Sequence, residues 1–420
     1  MFGFANFLLL ALFAAAVFDL IFALARGGGL RGALHGLWNT PHLLFGQQLA
    51  EWRLQLGRIL FAAGLAAYEI SVVFCNSMAR QNWAWVQGVM SPVLEWLAFL
   101  CFGAKILFGT RYTWRELLAG GALYFIARWV YFNSQNIWWI GIVVAVLAAK
   151  DVPLHRPLQV YFASGCAAMA VVLALHFAGI VAPDLTSERM GALRGTYGYG
   201  HPNTFGGLVF GLVLAYALLR AQKVRWVDCL LVFAVGVFLL VGPASRSAAL
   251  CTLALAVGLV FCRLRAGHSV PRWWPGTCAG MVGLTAAVSY LLPLLVIKVG
   301  PWNNDIGPAW LAKLDSLLTC RISLTWMAYR LLDVKIAGQV FNWPTVDNSF
   351  AFALFQFGPV VAALLGILFA AALLGHAKQG RRVEVCCLFA MLAYAYMEVQ
   401  PFHLTTNPTA LLLCGAVFAQ

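Results

Sequence analysis

Charge is what this 420-residue chain has least of. Asp, Glu, Lys and Arg together make up 10% of it, against about 25% in a soluble domain. That shortage excludes a water-facing surface over most of its length. Alternating strands of about ten residues are missing, which excludes a membrane β-barrel. The eleven Cys form no Cys-x-x-Cys pair and no Cys/His zinc spacing, and most fall inside apolar runs. Neither a disulfide framework nor a metal centre is expected. Cys320 is the one thiol expected in a loop. Internal repeats, linkers and low-complexity tracts are absent. The net charge of +13 does not point to nucleic acid, because the basic residues sit in short clusters between apolar runs.

What is present is hydrophobic: 62% apolar residues and a mean hydropathy of +0.82. Runs near 2–25, 58–75, 88–108, 115–131, 134–149, 156–182, 203–220, 225–241, 246–263, 275–297, 348–375, 383–398 and 405–419 approach the roughly 20 residues that cross a bilayer. The expected fold is all-α: a polytopic integral membrane protein with about 12–13 transmembrane helices in a single domain over 1–420. The runs at 134–149 and 405–419 are short enough to be tilted or re-entrant. Residues 2–25 are too long for a signal-peptide core and lack a basic leader, so they read as a retained helix.

More than half of the 28 Lys and Arg fall in six alternate loops, at 26–58, 111–115, 150–156, 220–225, 263–272 and 378–382. The positive-inside rule makes those loops cytoplasmic. The remaining loops then face outside, including a short one at 183–202 and a large one at 298–347. In the large loop Trp310, Leu311, Leu314, Leu318, Ile322, Thr325 and Leu332 recur at helical spacing, with Lys313, Asp315 and Arg330 mostly off the stripe. That pattern predicts one amphipathic helix on the membrane surface.

The segment Arg194-Gly-Thr-Tyr-Gly-Tyr199-Gly-His201-Pro-Asn203 stands between two apolar runs. Its glycines oppose a helix and permit close backbone approach. Pro202 suits the first turn of the helix that follows. A helix N-terminus favours anions, and Arg194 adds a full charge. Ser245-Arg246-Ser247 repeats the arrangement, with Ser245 as an expected N-cap. Arg246 sits at the unfavourable end of the helix dipole unless an anion binds there. Asp347-Asn348-Ser349 opens a third outward-starting helix. Glu398, His403 and Asn407-Pro408 lie at the outer end of another span. Each has a bland reading beside the functional one: a Gly-rich turn, a snorkelling Arg, an ordinary cap. Glu69, Glu95 and Arg128 fall inside apolar runs, where a structural Glu–Arg pair is the expected arrangement. Arg194, Arg246 and Arg321 all on the outer side suit a diphosphate-sized anion, of which a polyprenyl-linked sugar is the membrane-resident kind.

These residues resemble the bacterial O-antigen and capsular polysaccharide polymerases of the Wzy type and the related O-antigen ligases. The marks are Arg194…Gly-Tyr-Gly-His201-Pro-Asn203…Gly206, Ser245-Arg246-Ser247, Leu317-Leu-Thr-Cys-Arg321-Ile, Gly338-Gln339, Val346-Asp-Asn-Ser-Phe350, Gly358, Glu398 and Asn407-Pro408. They run in order over roughly residues 190–410. Cys320 stands where the family pattern has Gly, and Phe350 where Tyr is commoner.

The resemblance implies a metal-independent, inverting glycosyltransferase without cofactor in the bacterial cytoplasmic membrane, active on its outer face. It would polymerise undecaprenyl-diphosphate-linked oligosaccharide repeat units into O-antigen, capsule or exopolysaccharide. Its partners would be lipid-linked donor and acceptor, the bilayer, a flippase and a chain-length regulator, and no nucleic acid. His201, Arg194, Arg246, Asp347 and Glu398 are the expected catalytic residues, with His201, Asp347 and Glu398 rivals for the general base. Arg321, Asn203, Tyr199, Ser245, Ser247, Asn348 and Asn407 are the expected substrate-binding residues. The alternatives are a ligase that moves a finished glycan to another acceptor, and a lipid-linked sugar transporter, which would show inverted repeats and mid-membrane charges.

Overall fold

The computed structural model describes residues 2–26, 29–45, 51–181, 187–189, 192–296 and 307–418. Parts of both expected outer loops, 183–186, 190–191 and 298–306, lie outside the described residues. The chain begins with α1 (Phe2–Ala25), α2 (Gly29–Asn39), α3 (Glu51–Cys75), α4 (Ala79–Asn82) and α5 (Ser91–Phe108). Then come α6 (Trp114–Ser134), α7 (Ile137–Ala148), α8 (His155–Phe177), α9 (Pro202–Leu219), α10 (Trp226–Val241) and α11 (Arg246–Leu264). The last third holds α12 (Trp274–Leu291), α13 (Ala309–Leu317), α14 (Arg321–Leu331), α15 (Ser349–Phe352), α16 (Pro359–Lys378), α17 (Arg382–Met397) and α18 (Cys414–Val417).

Among the described residues eight helices are long and apolar enough to cross a membrane, and three shorter apolar helices accompany them. The chain is thus a helical, multi-pass membrane protein by composition and length. Among the described residues strand is limited to pairs of two or three residues. Phe7, Leu10 and Phe13 on α1 and Leu230 and Phe233 on α10 point outward, as lipid-facing side chains do, while the polar residues are drawn inward. This inversion follows from the solvent: hydrocarbon leaves an unpaired polar group nowhere else to go.

Several sequence expectations need correction. Residues 348–375 are not one span. The helix that starts at Ser349 passes through a wide, π-type turn at Ala353–Phe357, stops at Gly358 and restarts at Pro359. Residues 408–417 form a tight 3₁₀ turn followed by α18. Most are buried, so this run packs inside the bundle and is not a full span. The large loop holds two short helices instead of one amphipathic helix. Thr319 and Cys320 take left-handed backbone angles, φ 61° and 63°, which a right-handed helix cannot contain. Leu311 and Ile322 still pack inward with Val296. Asp315, expected off the stripe, is buried. It accepts the backbone N–H of Ile322 (2.8 Å) and Ser323 (3.1 Å) and the Ser323 hydroxyl (2.8 Å). It thereby caps α14 from the preceding helix, which the left-handed Cys320 cannot do with its own side chain. The expected Glu–Arg pair does not form: Arg128 donates from Nε to Asn6 Oδ1 (2.8 Å), and Glu69 is buried elsewhere.

The break at Gly358 is fixed by the loop that covers it. Gly338 and Gly358 both have positive φ, 73° and 88°. A Cβ on Gly338 would strike the Gln356 carbonyl, and one on Gly358 the Ile336 carbonyl. Gly358→Ala should therefore lower the thermal midpoint of the detergent-solubilised protein by at least about 3 °C, from backbone strain plus the clash. Gly366→Ala, where a Cβ meets nothing within 4 Å, should leave the midpoint unchanged. Equal midpoints for both variants would contradict the packing.

Candidate functional site

The residues singled out around 194–203, 245–247, 321 and 398 meet at one place. α9 and α11 both begin there and α17 ends there. Glu398 follows the last turn of α17 in extended backbone and is 5% exposed. Its Oε1 accepts from Arg321 Nη2 (2.6 Å), Ser247 Oγ (2.8 Å) and Asn203 Nδ2 (3.1 Å). Its backbone carbonyl accepts from Ser349 Oγ (2.6 Å). Four segments far apart in sequence are thus tied to one residue.

Arg321 is 7% exposed. Besides Glu398 it donates from Nη1 to the Leu318 carbonyl (2.9 Å) and Thr319 Oγ1 (2.5 Å), and from Nε to the Met397 carbonyl. The left-handed turn at Thr319–Cys320 explains its place. It reverses the chain so that the first residue of α14 faces the end of α17. Arg194, 6% exposed, donates from Nη2 to Asn203 Oδ1 (2.9 Å) and the Ala244 carbonyl (3.2 Å). Asn203 therefore relays between Arg194 and Glu398. Gln400, which the sequence did not single out, donates to the Asn203 carbonyl (3.3 Å) and accepts from Tyr394 (2.8 Å).

Two glycines make this convergence possible. A Cβ on Gly206 would overlap the Ser245 hydroxyl, and one on Gly207 would overlap the Gln400 side chain. The first turns of α9, α11 and the 400-loop can approach this closely because those positions carry no side chain.

The other candidates divide. His201 caps α9: its Nδ1 accepts the Asn203 N–H at 3.1 Å. A neutral imidazole with Nδ1 accepting carries its proton on Nε2, so in this arrangement the ring has no lone pair left to act as a base. Ser245 was expected as an N-cap, but its hydroxyl makes no capping bond. It lies buried without a hydrogen-bond partner against α9. Tyr199 is fully buried with its hydroxyl likewise unpartnered. It supports the Gly-rich turn, stacking beside Phe205. Asn348 caps α15 through Phe350 N (2.9 Å) and Ala351 N (3.1 Å). Asn407 caps the 408–413 turn (3.1 Å to Ala410 N) and donates to the Pro401 carbonyl (2.9 Å). Burial pushes the His403 imidazole down to about 3, and the ring packs at a tilt against Trp138. Arg246 and His201 are exposed at the mouths of α11 and α9, and Asp347 is half-buried.

Burial holds the Glu398 carboxyl above the ordinary glutamate range. Arg321 pulls the other way, Asp347 adds to the upward push, and the bonds from Ser247 and Arg321 oppose it. A raised carboxyl beside two helix N-termini suits proton abstraction. Among the described residues no cluster of His, Cys, Asp and Glu could hold a metal.

The buried pair has a measurable consequence. Removing one charge strands the other in a dry site, at a cost of about 3–5 kcal/mol. Glu398→Gln and Arg321→Gln should each lower the thermal midpoint, and the double variant should lose much less than the sum of the two. Additive losses would mean that the two groups do not act as a pair. Comparisons with protein-family models, with curated proteins and with solved structures find no match to this chain.

Proposed function

We propose that this protein is a membrane glycosyltransferase that polymerises polyprenyl-diphosphate-linked oligosaccharide units at the outer face of a bacterial cytoplasmic membrane. The observation that carries the reading is the convergence of Arg194, Asn203, Ser247 and Arg321 on Glu398 where α9 and α11 begin. Two helix N-termini and an exposed Arg246 form a mouth suited to a diphosphate. A buried carboxylate of raised proton affinity stands behind it. The grouping of basic residues in the alternate loops supports placing this mouth outside.

In the proposed reaction an acceptor hydroxyl gives its proton to Glu398. Its oxygen forms the new bond to the anomeric carbon of the donor's first sugar. The anomeric carbon–oxygen bond to the diphosphate breaks on the opposite side, inverting the configuration. The polyprenyl diphosphate leaves with its added charge facing Arg246. Preorganised cations in a low-dielectric site are effective at stabilising such charge. Arg194 and Arg321 act differently, because both are buried and donate to groups of the protein. Arg194 positions Asn203, and Arg321 fixes the Glu398 carboxylate.

The test is reconstitution of the full chain in liposomes with lipid-linked repeat units alone. A ladder of products is expected from the native sequence. Arg246→Ala should lose at least about a hundredfold in rate, as a lost charge-stabilising group does, while remaining in the membrane at normal amount. Product that forms only when a second, different acceptor is supplied would move the assignment to a ligase. No product with any acceptor, together with passage of the lipid-linked sugar between leaflets, would favour a transporter.

The rate should also report on Glu398. A base works only when deprotonated, so activity should fall as pH drops through the carboxyl's raised value, with a midpoint above the ordinary glutamate range. In Glu398→Gln the residual rate should be low and independent of pH over that limb. An unchanged acid limb in this variant would assign the base to another group.

A further inference from the structure

Cysteine takes no part in the proposed reaction, and all eleven thiols of the chain are free. Buried thiols mostly serve as small apolar fillers. One pair is placed to do more. Cys262, in the last turn of α11, and Cys386, early in α17, bring their sulfurs to 3.6 Å across 124 residues of sequence.

The contact is built into the packing of the two helices. Gly258 precedes Cys262 by one turn of α11, and a Cβ there would stand 3.1 Å from the Cys386 sulfur and 3.2 Å from its Cβ. α17 therefore seats Cys386 on bare backbone beside Cys262. Arg382, one turn before Cys386, donates to the Arg265 carbonyl just past the end of α11 (3.0 Å). The helices are thus held together on both sides of the thiols. Arg263, Arg265, Arg381 and Arg382 mark this end as the aqueous edge of the bundle. Access differs between the two residues. Cys262 is buried and Cys386 half-buried, while Cys387, next in sequence, is fully enclosed. A small reagent at the membrane edge meets Cys386 first.

From a contact of 3.6 Å to a bond of about 2.05 Å the gap is about 1.5 Å, shared by two side chains that turn about their Cα–Cβ bonds. We propose that Cys262 and Cys386 are a redox-responsive pair that closes into an intramolecular disulfide and ties α11 to α17. The oxidant is a low-molecular-weight disulfide of the glutathione class. The Cys386 thiolate attacks one of its sulfurs and expels one small thiolate, leaving a mixed disulfide. The Cys262 thiolate then attacks the Cys386 sulfur and expels the second. Two protein thiols lose two electrons and two protons, and one small disulfide becomes two thiols. The basic loops support placing this end in the cytoplasm, where thiols are kept reduced, so the open pair is the resting form and the link answers an oxidative challenge. The helices so joined are the two that bring Ser247 and Glu398 together at their far ends, about 24 Å away along α11. The inference does not depend on the reaction catalysed there.

The full chain in detergent, incubated with oxidised glutathione, blocked with a maleimide while unfolding and then digested, provides the test by mass spectrometry. A peptide pair joined through Cys262 and Cys386 should appear, and dithiothreitol should abolish it. Cys262→Ser should lose the link and carry glutathione on Cys386 instead. Cys320→Ser, which removes the exposed thiol, and Cys387→Ser should both keep the link. Absence of the joined peptides from the unaltered chain overturns the proposal. So does a link through Cys387 in place of Cys386, or a Cys262→Ser chain whose Cys386 stays free of glutathione. The result on the unaltered chain decides the matter even where a variant is not recovered.

Discussion

A carboxylate and a guanidinium withdrawn from water must satisfy each other, and the contact between Arg321 and Glu398 at 2.6 Å sets the terms for everything around it. A buried pair is stable only when its remaining donors and acceptors are also filled. Here they are filled by Ser247, by the Leu318 and Met397 carbonyls and by Thr319. Asn203 fills another position on the same carboxylate and is itself held by Arg194. Asn203, Ser247, Met397 and the Leu318–Thr319 turn each come from a different helix end. The pair therefore determines where α9, α11, α14 and α17 begin or stop relative to one another. Gly206 and Gly207 are a consequence, since helix ends cannot crowd to this degree with side chains between them.

The same principle operates at the opposite end with other residues. Lys105, fully buried, donates to Thr110 (2.7 Å) and to the Lys150 carbonyl, while Lys150 reaches Glu116 (2.9 Å) and Asp151 (3.5 Å). α5, α6 and the end of α7 are joined there by charge in place of a polar surface. With apolar side chains turned to lipid, burial of hydrocarbon cannot by itself select one arrangement of the helices. Polar clusters at the two ends supply that selection.

Helix positions were legible in the sequence because apolar run length is a direct physical requirement of a bilayer. The starts of α9 at Pro202 and of α11 at Arg246 followed from capping chemistry, whereas Arg194, Arg321 and Glu398 were singled out separately and their meeting was not foreseen. What was not legible depended on through-space partners. The break at Thr319–Cys320 is invisible in a hydrophobic stripe, since Leu311 and Ile322 keep helical phase across it. Asp315 looked like a solvated charge, because nothing local reveals that its oxygens reach two backbone N–H groups seven and eight residues on. Gln400 carried no signal at all. Its role depends on Gly207 leaving room for it, a relation across almost two hundred residues.

The three arginines looked equivalent in the sequence, and their surroundings separate them. Arg194 and Arg321 have their hydrogen-bonding capacity directed into the protein, at Asn203, Ala244, Leu318, Met397 and Glu398. To meet an incoming anion either would have to abandon buried partners that no water could replace. Arg246 is exposed at the N-terminus of α11, where the helix dipole repels a cation and favours an anion. With one outward cation and two inward ones, the Glu398 carboxylate is held at a fixed geometry while Arg246 stays exposed. Under the proposed reading, three outward arginines would contact the diphosphate equally in substrate, transition state and product, and such uniform interactions add nothing to the rate. Under the proposed reading the inward bonds of Arg194 and Arg321 would serve the reaction by fixing Asn203 and Glu398, not by holding the diphosphate.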